Sequence, residues 1–427
     1  MTVYPTYKDS GIEWQGQIPA HWDETLFFSV AKLKNQTGYI EEDLLSVYLD
    51  KGVIRTIDSD GKQVHKPSED LSKYQLVDIG DFVMNNQQCW RGSVGVSSFR
   101  GIVSPAYHVF ELSSSLNYRY ANYLLRDQYM VGQYKVASKG VGSIQQILYF
   151  PWFKKCLCLI PPQEEQRQIV AYLDYKSNKI DERICQRERE LQTLSELKQA
   201  EIATVVIRGL DPNVPMKESG IEWLGKIPAH WEVRKIKNCL QERSEKGYPN
   251  EPILCATQSR GVIPQDMYDN RVVVVNKDFD KLKLVKCGDF VISLRSFQGG
   301  IEYAYYQGII SAAYTILTPK DKRNSEYFKH LFKSHDFIQL LQTCVTGIRE
   351  GQNINYAMLA KHFIPIPPIE EQQKIVLYIK NRLYVIDEYI AKLKTEINYL
   401  QEYKQRLISD VVTGKVDVRG VEIPSEK

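Results

Sequence analysis

Long apolar runs are missing from this 427-residue sequence: no stretch of about eighteen apolar residues occurs, the length that a membrane-spanning helix requires. The N-terminal residues also lack a basic segment followed by an apolar core, so the sequence predicts no secretory signal. The mean hydropathy of -0.36 and the hydrophobic content of 43% are typical of a soluble globular protein. We therefore expect a cytoplasmic protein with no membrane segment.

Paired cysteine motifs are absent as well. The eight cysteines are dispersed along the chain without CxxC spacing, which favours free thiols in a reducing compartment. The two closest, Cys156 and Cys158, lie in an apolar run that ends at Ile160 and is typical of a buried strand. No second pair completes a tetrahedral set of ligands, so we expect no metal site.

Catalytic motifs are lacking too, since the sequence contains no serine-hydrolase, zinc-protease or kinase signature. The segment from Gly220 to Lys226 resembles the first part of a phosphate-binding loop, but Ile227 stands where such a loop has Ser or Thr. The seven histidines are dispersed, and His21 and His230 occupy equivalent places in a repeated string, which favours a structural role. We therefore expect no catalytic residue in this chain.

An excess of charge of one sign is missing from the chain as a whole, because 55 Lys and Arg residues against 52 Asp and Glu residues leave a formal charge of +3. Within the first half, however, the charges separate. Residues 41–81 contain 5 basic and 10 acidic residues, whereas residues 82–159 contain 8 basic and 2 acidic residues. The near-neutral total therefore hides a local basic segment, which is suited to a localised contact with DNA.

What the sequence does contain is a duplication. Residues 10–22 read SGIEWQGQIPAHW and residues 219–231 read SGIEWLGKIPAHW, which are identical at eleven of thirteen positions. Residues 160–173 and 366–379 share the pattern IPPxEEQ and are identical at nine of fourteen positions. The string GDFV also occurs once in each half, ahead of SPAY or SAAY. Because these matches keep their order while the sequence between them differs, one scaffold carries two different sets of loops.

Each repeat combines predicted strands with a long helix. Short β-branched or aromatic segments bounded by Gly, Pro, Asn and Asp predict strands, and helical patches occur around residues 118–129 and 325–342. We predict an α+β fold with two globular domains related by a pseudo-two-fold axis, separated by two long helices in an antiparallel coiled coil. The predicted division is a first domain at residues 1–159, a helical spacer at 160–208, a second domain at 209–365, a second spacer at 366–414 and a C-terminal tail at 415–427.

Both long helices carry a seven-residue repeat of apolar residues. After Ile375 the repeat continues to Val411 with Lys404 as its one polar member, and the first helix keeps the same register with more polar interruptions. One isolated stripe would favour packing of the helix on its own domain, whereas two stripes in register favour packing of the helices on each other. The predicted seam residues are Leu173, Ile180, Ile184, Leu191, Leu194, Ile379, Leu383, Ile386, Ile390, Leu393, Ile397 and Leu400.

Two polar loop regions in each repeat have the chemistry of a DNA-binding surface. Asn and Gln side chains pair with adenine and Arg pairs with guanine, while Gly lets the backbone approach a phosphate and Lys or Arg supplies the charge. The alternative is that these residues are simply the polar ends of strands and do not bind DNA. The candidates are Asn85, Asn86, Gln87, Gln88, Trp90, Arg91, Lys139, Gln145 and Gln146 in the first repeat, and Arg295, Ser296, Phe297, Gln298, Arg349, Gln352 and Asn353 in the second.

The paired strings SGIEWxGxIPAHW, GDFV and IPPxEEQ resemble those of the specificity subunit of type I restriction-modification systems, and the resemblance extends over essentially the whole chain. It implies a non-catalytic prokaryotic subunit whose two target-recognition domains each read one half of a bipartite double-stranded DNA target, with the helices setting the spacer. It implies no cofactor in this chain. S-adenosylmethionine is expected on two modification subunits, and ATP and magnesium on restriction subunits. Ala312 stands where the first repeat has Pro105, and the candidate loops differ, so individual base contacts do not carry over between repeats.

Two other functions remain open at this point. One is a self-contained DNA methyltransferase or nuclease with fused recognition domains, although the repeated elements already occupy both halves of the chain. The other is a coiled-coil scaffold whose domains bind proteins. Bipartite DNA binding and methylation, with and without a modification subunit, discriminate among the three functions.

Overall fold

The computed structural model describes residues 2–12, 16–59, 68–141, 145–268, 279–346 and 353–424. The chain divides into two compact units: Met1–Arg187 together with Thr395–Lys427, and Glu188–Lys394. Each unit therefore combines one globular domain with a part of both long helices.

In the first unit, Phe82 and Phe110 lie opposite each other at the centre of a four-stranded antiparallel sheet, and both are buried. The strands of this sheet follow the spatial order Ala31–Lys34, Tyr107–Leu112, Phe82–Asn85 and Val94–Val96. The other strands form antiparallel pairs: Tyr7–Asp9 with Gln17–Pro19, Asp23–Leu26 with Leu157–Ile160, Leu45–Tyr48 with Gly52–Arg55, Gln75–Val77 with Gly101–Val103, and Ser138–Val141 with Gln145–Leu148.

The second unit repeats this arrangement pair by pair, with Phe290 opposite Leu317 in the equivalent sheet. The strands of that sheet follow the order Leu240–Arg243, Thr315–Pro319, Phe290–Ile292 and Glu302–Tyr303. The other pairs are Met216–Glu218 with Lys226–Pro228, Glu232–Lys235 with Phe363–Ile366, Leu254–Thr257 with Gly261–Pro264, Lys283–Val285 with Gly308–Ile310, and Val345–Thr346 with Asn353–Ile354. The α+β class predicted from the sequence is confirmed.

Short helices connect the strands of both units. In the first unit they are the α-helices Phe27–Val30, Tyr118–Arg126, Gln128–Val136 and Phe150–Phe153 and the 3₁₀ turns Thr56–Asp58 and Cys89–Arg91. In the second unit they are the α-helices Ile236–Cys239, Ser296–Gly299, Ser325–Leu331, His335–Thr343 and Tyr356–Leu359 and the 3₁₀ turns Gln265–Met267, Phe279–Lys281 and Lys322–Asn324.

Each helical patch predicted from the sequence is a pair of helices. Asp127 has an extended backbone, with φ -69° and ψ 154°, and its carboxylate accepts the backbone N–H of Tyr129 at 2.8 Å. This N-cap ends the first helix of the patch and starts the second. In the second unit Ser334 takes the same extended conformation, with φ -69° and ψ 148°, between its two helices.

Aromatic side chains fill the core of each unit. The ring centroid of Phe27 lies 5.7 Å from that of Phe82, 5.2 Å from that of Phe110 and 5.0 Å from that of Phe153. These separations are typical of favourable aromatic pairs. The second unit has an equivalent cluster that includes Phe290, Phe328, Phe332 and Phe337.

Both long helices begin directly after a Pro-Pro pair. The first long helix is Gln163–Arg208 and the second long helix is Ile369–Val412. Two Glu residues occupy the first turn of each, where the helix dipole favours negative charge. All of the predicted seam residues are at least half-buried. The buried ones are Leu173, Ile180, Ile379, Ile386, Leu393 and Ile397, and the half-buried ones are Ile184, Leu191, Leu194, Leu383, Ile390 and Leu400.

Within the first unit, polar residues of the seam pair across the two helices. Arg187 Nε lies 3.0 Å from Glu396 Oε1, and Lys404 Nζ lies 2.6 Å from Asp181 Oδ2. The earlier residue of the first long helix therefore pairs with the later residue of the second, so the two helices are antiparallel.

The second unit shows the same antiparallel pairing. Lys198 Nζ lies 2.6 Å from Asp387 Oδ1, and Arg382 Nε lies 3.0 Å from Glu201 Oε1. The polar interruptions of the first helix at Arg187, Lys198 and Glu201 thus have charged partners on the second helix. The predicted antiparallel coiled coil is confirmed within each unit.

Candidate nucleic-acid interface

In the first unit, residues 10–22, which recur in the second repeat, contact the first turn of the first long helix. The indole Nε1 of Trp22 donates to Glu165 Oε1 at 2.9 Å, and the hydroxyl of Tyr4 donates to the same oxygen at 2.5 Å. His21 Nε2 lies 2.8 Å from Glu165 Oε2. We call this arrangement of Trp, His and Glu the clamp. It gives His21 the structural role that its recurrence in the sequence predicts.

The clamp recurs in the second unit. Trp231 Nε1 donates to Glu371 Oε2 at 3.0 Å, and His230 Nε2 lies 2.7 Å from the same oxygen. Both Trp22 and Trp231 are almost completely buried. The most similar residues of the two repeats therefore build the scaffold, and the functional differences between the repeats lie elsewhere.

In the first unit, the predicted binding loop follows the strand Phe82–Asn85 and closes on itself. The Asn85 side chain accepts the backbone N–H of Gln87 at 3.0 Å, and Trp90 Nε1 donates to the backbone carbonyl of Gln87 at 3.0 Å. These bonds fix the loop backbone and leave polar side chains at its surface. Gln87, Gln88 and Arg91 are exposed, whereas Asn85, Asn86 and Trp90 are half-buried.

The predicted hairpin cluster lies beside this loop. The backbone N–H of Leu148 donates to the carbonyl of Asn86 at 3.3 Å. This bond joins the strand pair Ser138–Val141 and Gln145–Leu148, which we call the hairpin, to the loop. Lys139 is exposed, and Gln146 is half-buried opposite Gly140 in the hairpin ladder. The backbone of Gln145 pairs with that of Val141. The structure therefore brings both candidate regions of the first repeat onto one surface.

Two aromatic residues of this surface were not among the sequence-based candidates. Lys139 Nζ lies 3.5 Å from the ring centroid of Tyr149 and 4.4 Å from that of Trp152. Both rings are partly exposed, Tyr149 at 38% and Trp152 at 44%. The signal in the sequence was the string Tyr-Phe-Pro-Trp directly after the hairpin and inside the basic segment.

In the second unit, the predicted loop forms the short helix Ser296–Gly299. Arg295 and Gln298 are exposed, and the half-buried ring of Phe297 packs against the core. Ser296 is buried, and its hydroxyl accepts the backbone N–H of Ser293 at 2.8 Å. This placement favours a loop-stabilising role for Ser296 over a contact with DNA.

The second candidate cluster of this unit is only partly described. Asn353 is exposed, and its carbonyl accepts the hydroxyl of Thr346 at 3.4 Å across a two-stranded ladder. Arg349 and Gln352 lie outside the described residues.

The half-buried Lys333 and the buried Glu302 form a contact next to the helix Ser296–Gly299. Lys333 Nζ lies 2.6 Å from Glu302 Oε1 and donates to the carbonyl of Gly299 at 2.8 Å. Burial raises the pKa of the Glu302 carboxyl to about 7, although the nearby Lys333 acts in the opposite direction. Sequence reasoning missed this pair because its partners are 31 residues apart and neither belongs to a repeated string.

Among the described residues, no group of three or more His, Cys, Asp or Glu side chains is arranged to hold a metal ion. In the same part of the chain, no helix is long and apolar enough to cross a membrane.

Comparison with known proteins gives consistent matches. The family described as Type I restriction modification DNA specificity domain matches residues 228–399. Two specificity subunits of type I restriction enzymes from Methanocaldococcus jannaschii are similar over most of their length. MjaX is 24% identical and the match covers 82% of this chain and 81% of that protein. MjaVIII is 22% identical, with 82% and 84% covered. The chain is therefore similar to the specificity subunits of type I restriction-modification systems.

A solved structure supports the fold of this chain. A chain from a study of complex assembly and conformational transition of the type I restriction-modification system has a TM-score of 0.65 and 17% identity. The match covers 93% of this chain and 99% of that chain. The segment that the family model matches, residues 228–399, contains the exposed candidates Arg295, Gln298 and Asn353 and most of the second long helix.

Proposed function

We propose that this chain is a specificity subunit that gives a type I restriction-modification complex its DNA sequence preference, with each globular domain reading one half of a bipartite double-stranded target. The observation that carries the proposal is a contrast within the duplicated scaffold. Strand order and the clamp recur, whereas the exposed residues after the equivalent strands differ: Gln87, Gln88 and Arg91 in one unit, Arg295 and Gln298 in the other. A shared scaffold with two different surfaces suits two different half-sites.

The exposed side chains have the chemistry of base readers. The amides of Gln87 and Gln88 can make paired hydrogen bonds to adenine, and the guanidinium groups of Arg91 and Arg295 can do so to guanine. Because the chain carries a formal charge of only +3, its electrostatic attraction to phosphates is modest and must be local. Tight binding therefore requires the partner subunits.

We also propose that the chain is non-catalytic and that two modification subunits, which carry S-adenosylmethionine, dock on its long helices. Restriction subunits would add the chemistry that depends on ATP and magnesium. Support comes from apolar residues on the second long helix that face solvent: Leu377 is 58% exposed, Tyr384 is 64% exposed and Val385 is 57% exposed. Neighbouring apolar residues on a solvent-facing surface are typical of a protein-binding site.

The long helices are proposed to set the spacer between the two half-sites. Their apolar seam and the ion pairs across it fix the register of one helix against the other in each unit. In each unit, a fixed register gives the paired helical segments a defined length, since an α-helix rises about 1.5 Å per residue.

The test uses the purified chain, alone and in complex with its modification subunit. Binding to a library of randomised duplexes should enrich a bipartite motif with a constant spacer, and methylation should occur only when the modification subunit is present. Methylation by the chain alone would contradict the non-catalytic proposal. Failure to bind any specific sequence, even with the partner present, would contradict the DNA-specificity role and favour a protein-binding scaffold.

A further inference from the structure

The ammonium group of Lys139 is held by two aromatic rings on the DNA-facing candidate surface of the first unit. Its distances of 3.5 Å to the Tyr149 centroid and 4.4 Å to the Trp152 centroid are within the range of cation–π contacts. The two rings are 5.3 Å apart and nearly perpendicular, at 84°. Lys139 is thus folded back along the protein surface and does not extend freely into solvent.

The second unit has the same backbone at this place but different side chains. The backbone N–H of Tyr149 donates to the carbonyl of Ala137 at 2.8 Å, and that of Asn355 donates to the carbonyl of Cys344 at 2.9 Å. Each of these donors also precedes a four-residue helix, Phe150–Phe153 in one unit and Tyr356–Leu359 in the other. The two backbones are therefore equivalent.

This equivalence pairs Lys139 with Thr346, Tyr149 with Asn355, and Trp152 with Met358. The side chain of Asn355 accepts the backbone N–H of Met358 at 3.2 Å and so caps its helix. Thr346 and Asn355 supply neither a cation nor a ring. The lysine held by aromatic rings is therefore a feature of the first unit that the scaffold itself does not require.

We propose that Tyr149 and Trp152 position Lys139 to contact a backbone phosphate of the half-site read by the first domain. This inference rests on the proposed function. A base contact requires a side chain that reaches the floor of the major groove, which is about 8.5 Å deep. An ammonium group retained at the protein surface reaches the phosphates at the groove edge. The adjacent Gly140 presents no side chain that would block this approach.

The hydrogen bond between Leu148 and Asn86 links the proposed phosphate contact of Lys139 to the base-reading loop. Because it ties the hairpin to the loop that carries Gln87 and Gln88, a phosphate anchored at Lys139 sets the register of the base-reading residues on the duplex. Phosphate contacts of this kind position a protein on DNA without reading sequence.

The experiment measures binding of the full chain with its modification subunit to a target duplex over a range of salt concentrations. Loss of one phosphate contact should lower the slope of log affinity against log salt by about 0.9, which corresponds to about an eightfold loss of affinity at about 0.1 M salt. Lys139→Gln should show this change and keep the base preference at every position. The double variant Tyr149→Leu with Trp152→Leu should lower the slope by a smaller amount. Adding Lys139→Gln to that double variant should lower the slope less than Lys139→Gln does in the native chain.

The control is Lys32→Gln on the strand Ala31–Lys34. Lys32 is exposed and lies opposite Glu111, two strands away from the strand Phe82–Asn85 that leads into the loop. Its replacement should leave the salt slope unchanged. An equal effect of both lysine variants would overturn the inference, because it would indicate a general effect of charge.

Two further results would also overturn it. An unchanged slope in Lys139→Gln would exclude the phosphate contact, and relaxed preference at one base pair would indicate a base contact instead. If a variant fails to fold, Lys139→Thr with Tyr149→Asn and Trp152→Met installs the side chains that the same backbone carries in the second unit. Absence of specific binding by the native complex would contradict the proposed function, whereas specific binding with no effect of Lys139→Gln would contradict this inference alone.

Discussion

Glu164 and Glu165 are neighbours of the same residue type but differ in burial and in hydrogen-bond partners. Both place negative charge in the first turn of the first long helix, as the sequence predicts. The Glu164 side chain is 85% exposed and pairs with Arg167 of the next turn. Glu165 is buried and accepts hydrogen bonds from Tyr4 and Trp22. The helix dipole favours negative charge at both positions. Only the tertiary structure shows that Glu165, and not Glu164, belongs to the clamp.

Replacing Glu165 should therefore destabilise the first unit. Glu165→Ala leaves the Trp22 indole and the Tyr4 hydroxyl without their acceptor, and we expect the free energy of unfolding to fall by about 3 kcal/mol. Urea unfolding followed by tryptophan fluorescence measures this change. Glu164→Ala is the matched control and should change the value by less than about 0.5 kcal/mol. Equal effects of the two substitutions would contradict the clamp.

Glu302 predicts a pH dependence of stability in the second unit. Burial raises the pKa of its carboxyl from an ordinary 4.5 to about 7. The unfolded chain releases this proton near pH 4.5 while the folded chain retains it up to about pH 7. This group's contribution to the free energy of unfolding should therefore fall as pH rises between these values, by at most about 3 kcal/mol.

Urea unfolding of the native chain and of Glu302→Gln, compared between about pH 5 and about pH 8, isolates this contribution. The native chain should lose more stability over this range than the variant, because Gln has no proton to release. Parallel curves for the two proteins would show that Glu302 does not retain its proton in the folded chain.

The two long helices illustrate what polar residues do inside an apolar seam. Arg187 and Lys198 each pair with an acidic residue of the second helix. Both pairs are partly exposed, and such ion pairs contribute little to stability. Their effect is on register, because a slip of one helix would separate each charge from its partner. The buried members of the seam, such as Leu173 and Leu393, supply the apolar contact.

A change of helix length tests the proposed spacer role. Removing residues 184–190 from the first long helix together with residues 394–400 from the second deletes one heptad from each and preserves the seam pattern. The spacer of the recognised target should become shorter, while the bases of each half-site stay the same. Methylome sequencing of a host that carries the variant and its modification subunit measures both.

The control deletes four residues from each helix, which shifts the apolar stripe out of register and should reduce stability. Altered half-site bases with a constant spacer in the heptad variant would contradict the proposed role of the helices.

Over the whole molecule, the two repeats share the buried residues that stabilise the fold and differ in the loops that face solvent. Trp22 and Trp231 are both buried and both bonded to a Glu of the adjacent long helix. The loop after the strand Phe82–Asn85 and the loop after the strand Phe290–Ile292 have unrelated residues. This division supports the proposal of two independent reading surfaces on one chain.

A pair of single substitutions tests that independence. Gln87→Ala should relax recognition in one half-site only, and Arg295→Ala should relax it in the other, each by about 1 to 3 kcal/mol at one base pair. Selection from a randomised duplex library, with the modification subunit present, measures the preference at every position. Each variant serves as the control for the other. Relaxation of both half-sites by one substitution would contradict separate reading, and uniform weakening would indicate a phosphate contact.

Much of the architecture was predictable because duplication and periodicity are properties of the sequence. The long helices begin after the Pro-Pro pairs and pack along the predicted seam, since apolar spacing of seven residues allows few other solutions. Less of the candidate site was predictable. Ser296 is polar and adjacent to Arg295, yet it is buried and stabilises the loop. Tyr149 was not among the sequence-based candidates, yet its ring is partly exposed and lies 3.5 Å from the Lys139 ammonium group.

The sequence by itself determined the number of repeats, the α+β class of each and the course of the helices, because these depend on local propensity and on patterns that recur along the chain. Only the tertiary structure decided which side chains share a surface. The contact between Lys139 and Trp152 and the bond between Leu148 and Asn86 depend on how a hairpin folds against a loop distant in sequence. Such pairings follow from packing and hydrogen-bond geometry in three dimensions, which the order of residues does not display.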